Sequence, residues 1–167
     1  MESTLQLAIA LGEALRKQGW VATTAESCTG GGVSAAITDI AGSSAWFDRA
    51  FITYTNEAKQ QMLGVTEQAL IAEGAVSETV VEQMATGALT HSLADISVAI
   101  SGIAGPTGGT ATKPVGTVCF GWADKTGWQQ QMTCLFAGDR AQVRAQAVEK
   151  ALTGMVERLQ GLGSPVI

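Results

Sequence analysis

The sequence predicts a layered α/β fold around a largely parallel sheet, and three observations predict it. Segments rich in β-branched and aromatic residues alternate with segments of helical periodicity. The run ISVAISGIA (96–104) is continuously apolar, the pattern of a strand covered on both faces. Two further strand-like segments flank Lys125, Thr126 and Gly127, a turn short enough to demand one antiparallel hairpin, so the sheet is mixed.

The elements follow in order. Ser3 and Gln6 are spaced for a capping box, and Leu5, Ala8, Leu11 and Leu15 recur at helical spacing behind them. VATTAES (21–27) is a short strand, and CTGGGVSAAITDIAG (28–42) a glycine-rich turn opening into a helix. WFDRAFITY (46–54) is a second strand. A short helix follows, with Asn56 as its N-cap and Gly64 as its stop, and then another over TEQALIAEG (66–74). Ser77 caps a stronger helix, with Val76 and Val81 as a hydrophobic staple and Val80, Met84, Ala88 and Leu89 on its core face. After strand 96–104 comes the loop GPTGGTATKP (105–114), then the hairpin. Asp139 caps the last helix, whose Val143, Ala147, Val148, Ala151, Leu152, Met155 and Leu159 face the core, and the tail 161–167 is expected to fray. With no repeat, linker or low-complexity segment, residues 1–167 are expected to form one domain.

Composition narrows the function. Hydrophobic residues make up 46% and charged residues 15%, a globular balance. The net charge of −5 argues against nucleic acid as a partner. Cys28, Cys119, Cys134 and the single His91 lack the spacing of a metal set, so no metal or other cofactor is expected. The N-terminus has no basic run before its apolar residues and no segment approaches membrane-spanning length, which points to a cytoplasmic protein without a membrane partner.

In such sheets ligands collect at the carboxyl ends of parallel strands, here the segments ESCTGGG, TYTNEAK and SGIAGPTGG. Lys59 stands out because a first helical turn disfavours a cation. A neutral lysine serves as a base, but bringing it into range near pH 7–8 takes roughly 4 kcal/mol. The helix dipole supplies only about 0.3–1 kcal/mol, so burial must do most of it. Tyr54 is close enough in sequence to bond the amine and pass a proton. For the nucleophile the residues leave a choice between Ser27, which ends the first strand, and Ser43 and Ser44, in a turn before the second. Cys28 is a further nucleophile at a helix start, without an identifiable base. His91 precedes the third strand and belongs to the opposite rim. Arg140, next to Asp139, repeats the lysine's puzzle: it meets an anion there or pairs with the aspartate.

Together AESCTGG, GSSAWFDRAFITYTNEAK, GAVSETVV, SGIAGPTGG, KPVGTV and GDR resemble the CinA C-terminal domain family, the nicotinamide-nucleotide amidases, over about residues 5–160. The resemblance implies a stand-alone, three-layer α/β/α sandwich with a mixed, mostly parallel five-stranded sheet. It further implies a serine amidohydrolase that hydrolyses the carboxamide of nicotinamide mononucleotide through an acyl-enzyme, and a homodimer. The family's nucleophilic serine falls on Ser44, its base on Lys59 and its assisting tyrosine on Tyr54. Ser27, Thr29, Gly30, Gly31, Ser101, Gly102 and Arg140 fall on substrate-binding positions. Ser101 stands where many relatives carry Thr, and Thr107 where they carry an acid or amide. A nucleotide-binding module without catalysis is the alternative on the same fold.

Overall fold

The structure, a computed structural model, describes residues 3–164; residues 165–167 of the expected fraying tail lie outside them. In chain order it consists of α1 (Thr4–Gln18), β1 (Ala22–Glu26), α2 (Gly32–Thr38), β2 (Phe47–Ile52), α3 (Asn56–Leu63), α4 (Glu67–Glu73), α5 (Glu78–Thr90), β3 (Ile96–Gly102), β4 (Thr117–Asp124), β5 (Gln129–Leu135) and α6 (Arg140–Gly161). One turn of 3-10 helix, Ser43–Ala45, precedes β2.

The five strands form one sheet in the order β2-β1-β3-β4-β5. β1 runs parallel to both β2 and β3, whereas β4 runs antiparallel to β3 and to β5. Four strands therefore point one way and β4 the other. The expected hairpin accounts for one antiparallel pair. The second arises because β3 returns into β4 through a loop with no crossover helix, which an antiparallel neighbour permits.

Two cores flank the sheet. On one face α1, α2 and α6 bury Leu11, Ile37, Trp46, Leu152 and Met155. On the other, α3, α4 and α5 bury Leu63, Leu70, Val80 and Met84. β3 is buried along its length except for its last residue, as its apolar run requires. The capping box of α1 and the Ser77 cap of α5 form as their spacing predicts. The α3 boundary moves by one residue. Thr55, not Asn56, is the N-cap and accepts from the Ala58 N–H, while Gly64 closes the helix at φ 71°.

The sheet's hydrogen bonding runs one residue past the strand ends at the rim where β1, β2 and β3 finish. Ser27 N–H donates to Ile100 O at 2.9 Å, and Thr53 N–H to Glu26 O at 2.9 Å. Ser27, Thr53 and Ser101 are thereby held side by side.

Candidate active site

At this rim α3 turns its inner face to the sheet, and that face carries Lys59 and, four residues on, Leu63. Lys59 is 1% exposed, one of the largest fully buried side chains in the protein. Its Nζ lies 3.0 Å from Ser27 Oγ, 2.9 Å from Thr53 O and 3.3 Å from Tyr54 O. No carboxylate forms an ion pair with it among the described residues. Burial accordingly lowers its pKa from the ordinary 10.5, against a smaller opposing influence of Cys28.

The three neighbours suit the neutral amine. Its two N–H groups meet two carbonyl oxygens, and its lone pair is left for the hydroxyl proton of Ser27. Lys59 is thus dry as expected, although with Thr55 as N-cap it is the fourth helical residue and its own N–H already donates to Thr55 O.

Strand direction separates Ser44, the nucleophile expected from the resemblance, from Lys59. Ser44 lies in the turn before β2, and Lys59 lies after it. The six residues of β2 separate them by about 20 Å. Ser44 is exposed. Ser27 is the hydroxyl that the fold brings to the amine. Tyr54, the expected assisting tyrosine, does not turn its hydroxyl to the amine. It offers Lys59 its backbone carbonyl, while its exposed phenol accepts from Arg140 Nη2 at 3.1 Å.

Ser27, Lys59, Tyr54, Ser101, Gly102 and Arg140 line a common open cleft of about 270 Å³, closed on one side by Ile103–Gly108. At its mouth Arg140 donates from Nη1 to Gly105 O at 2.7 Å. Asp139 does not pair with Arg140; it caps α6 by accepting from Gln142 N–H at 2.9 Å. The remaining guanidinium N–H groups are free to meet an anion. A larger groove of about 580 Å³ between α1 and α6, lined by Leu7, Phe136 and Val156, also carries Lys150 and Thr153, but the Thr153 hydroxyl donates to Glu149 O.

Thr29, Gly30 and Gly31 do not line the cleft. They wrap the fully buried Glu26, a residue the sequence reading passed over. Its Oε1 accepts from Thr29 Oγ1 at 2.7 Å, Gly31 N–H at 3.1 Å and Val33 N–H at 2.9 Å. Its Oε2 accepts from Thr24 Oγ1 at 3.1 Å and Ser34 N–H at 3.0 Å. The α2 N-terminus, expected to serve substrate, is already filled by this carboxylate. The turn needs left-handed backbone at Gly30 (φ 57°) and Gly31 (φ 98°), which explains the glycine pair. An acid directly before a glycine-rich helix start is the sequence signal for it.

Cys28 lines the cleft, but burial pushes its thiol up to about 11, and no base is bonded to it. His91 caps α5 at the other rim, its Nδ1 2.9 Å from Gly87 O. No group of three or more possible metal ligands exists among the described residues, and no helix there is long and apolar enough to cross a membrane.

A sequence profile described as the CinA C-terminal domain matches residues 4–159. The chain is 57% identical over 148 residues to the nicotinamide-nucleotide amidohydrolase PncC of Escherichia coli strain K12, covering 89% of this chain and 90% of that one. It is also 57% identical over 142 residues to the protein of the same name from Enterobacter agglomerans, covering 85% and 87%. The crystal structure of the competence/damage inducible protein CihA from Agrobacterium tumefaciens matches with a TM-score of 0.92 at 42% identity, over 96% of this chain and 97% of that one.

Proposed function

Since the chain belongs to the CinA C-terminal domain family, we propose that it hydrolyses the carboxamide of nicotinamide mononucleotide to nicotinate mononucleotide and ammonia, with Ser27 as nucleophile and Lys59 as base. The substrate comes from the relatives named nicotinamide-nucleotide amidohydrolase. The observation that carries the chemistry is the buried amine 3.0 Å from the Ser27 hydroxyl, its other two contacts being carbonyl oxygens.

Lys59 takes the Ser27 proton as Oγ attacks the amide carbon, giving a tetrahedral oxyanion and an ammonium. The ammonium returns its proton to the departing nitrogen, which leaves as ammonia. A water molecule, deprotonated by the restored amine, then attacks the acyl-serine. Collapse of that second tetrahedral species frees Ser27 and the carboxylate product. Arg140 takes the substrate phosphate: it is the cation at the cleft mouth, and Glu26 already fills the α2 N-terminus where an anion would otherwise bind.

An ammonia-release assay on wild type, Ser27→Ala, Lys59→Ala and Ser44→Ala tests this. Turnover is expected in wild type and Ser44→Ala, and a loss of at least about 10³-fold in the other two. Near-normal turnover in Ser27→Ala overturns the assignment. A folded wild type that binds the mononucleotide and never releases ammonia is the non-catalytic module instead.

A further inference from the structure

Strand register sets a second serine beside Ser27. The Ser27 N–H donates to Ile100 O, which continues the parallel pairing of Glu26 with Ile100 and places Ser27 next to Ser101. Their faces follow from the residues two positions back. Ala25 and Ala99 are paired, and both lie in the core shared with α3 and α5. Ser97, two residues earlier again, turns its hydroxyl to Ala85 O of α5 at 2.8 Å. Side chains alternate along a strand, so Ser27 and Ser101 both project to the face where Lys59 lies. Cys119, opposite Ser101 on β4, is buried in the same core.

The sheet order puts β1 between β2 and β3. Lys59 is held by the carbonyls of Thr53 and Tyr54, which continue β2, so its amine reaches Ser27 from the β2 side. Ser101 flanks Ser27 from the β3 side, and both serines line the cleft. Ser101 is 2% exposed, and no protein group among the described residues bonds its hydroxyl. Nor is that oxygen sealed in: the sealed, unpartnered side-chain atoms among the described residues are Trp46 Nε1 and Thr53 Oγ1. The cleft is what remains for it to meet. Lys59 Nζ bonds Ser27 Oγ and two carbonyls, not Ser101 Oγ. Without a base, the Ser101 hydroxyl keeps its proton and is a donor.

We propose that Ser101 is a second catalytic hydroxyl, whose O–H donates to the oxyanion formed when Ser27 attacks the amide carbon. The proposal rests on the Ser27 reading. The resemblance implies only substrate binding for Ser101; the register gives it a part in the transition state. Lys59 hands its proton to the departing nitrogen, so that nitrogen faces the β2 side of the tetrahedral carbon. The oxygen is left to face β3. Neighbouring strands lie about 4.8 Å apart, which leaves room for one reacting atom between nucleophile and donor. No proton leaves Ser101: its hydrogen bond strengthens as charge builds on the oxygen and weakens when ammonia departs and the carbonyl re-forms. Thr53, fully buried, does not line the cleft and has no such access.

The test measures ammonia release by wild type, Ser101→Ala, Ser101→Thr and Ser27→Ala, with urea unfolding of each. In Ser101→Ala, kcat falls about 10²–10³-fold while KM stays within about threefold. Its unfolding midpoint is little changed, because the variant joins a face already built from Ala25 and Ala99. Ser101→Thr keeps the hydroxyl and holds kcat within about fivefold of wild type. Unchanged kcat in Ser101→Ala overturns the proposal. A raised KM with kcat preserved overturns it too, because Ser101 then only binds substrate. Equal losses in the alanine and threonine variants do the same, since the hydroxyl is then not what acts. Near-normal turnover in Ser27→Ala is the separate failure of the Ser27 reading. A silent Ser27→Ala beside a normal Ser101→Ala sinks the oxyanion assignment alone.

Discussion

Replacing Lys59 with methionine tests the neutral amine through stability, independently of turnover. Methionine fills nearly the same volume, so the α3–sheet contact persists. Two carbonyls, of Thr53 and Tyr54, lose a donor, at about 1–3 kcal/mol each where they stay dry. That penalty does not depend on pH. The lysine's own contribution does. Burial depresses its folded-state pKa below the ordinary 10.5, so below that value the unfolded chain binds a proton the folded chain refuses. Stability from this group is complete above 10.5 and is lost as pH falls through its folded-state value. One proton is at stake, so wild type gains on Lys59→Met by at most about 1.4 kcal/mol per pH unit as pH rises across that window. Cys28, whose thiol is pushed up to about 11, stays mostly protonated in both folded chains over the range used, so its coupling to Lys59 enters little. Urea unfolding of the pair at steps from about pH 6 to about pH 10 reads the slope directly. A flat difference across the range, or a wild type that gains as pH falls, refutes the depressed amine.

Three further outcomes follow from the same geometry. Glu26→Gln leaves at least two of five donors facing an amide nitrogen, so it should cost about 3 kcal/mol or more and lower Tm by roughly 10 °C, read by calorimetry. Arg140→Met should raise KM for the mononucleotide at least about tenfold with kcat little changed, and the effect should vanish on the corresponding nucleoside, which lacks the phosphate. A Cβ on Gly87 would lie 2.0 Å from Leu63 O, so Gly87→Ala should push α3 off α5 and cost at least about 2 kcal/mol in a denaturation curve.

Sequence reading went furthest where one residue broke a local rule. A lysine expected in a first helical turn announced a buried amine, and Lys59 is buried, one position further into α3 than expected. The choice among serines depended on strand polarity. Ser27 follows the carboxyl end of β1, whereas Ser44 precedes the amino end of β2. The rule that ligands gather at carboxyl ends already separated them, and motif matching outweighed it. Glu26 was harder to find. The carboxylate's partners depend on left-handed backbone at two glycines. Such contacts have no local periodicity from which to read them. The fold class needed none of this detail, because the apolar run of β3 and the Lys125 turn fix the parallel interior and the antiparallel flank.

β2 forms a border of the sheet, paired on one side alone, and it delivers the two carbonyls that hold the amine. Borders fray before interiors do. On the Ser27–Lys59 reading, opening of this margin lets water reach Lys59, relieves the burial that lowers its pKa and so weakens the proposed base, with β3 and both cores still intact. Gentle heating should therefore stop the chemistry several degrees before the molecule melts, and cooling should bring it back.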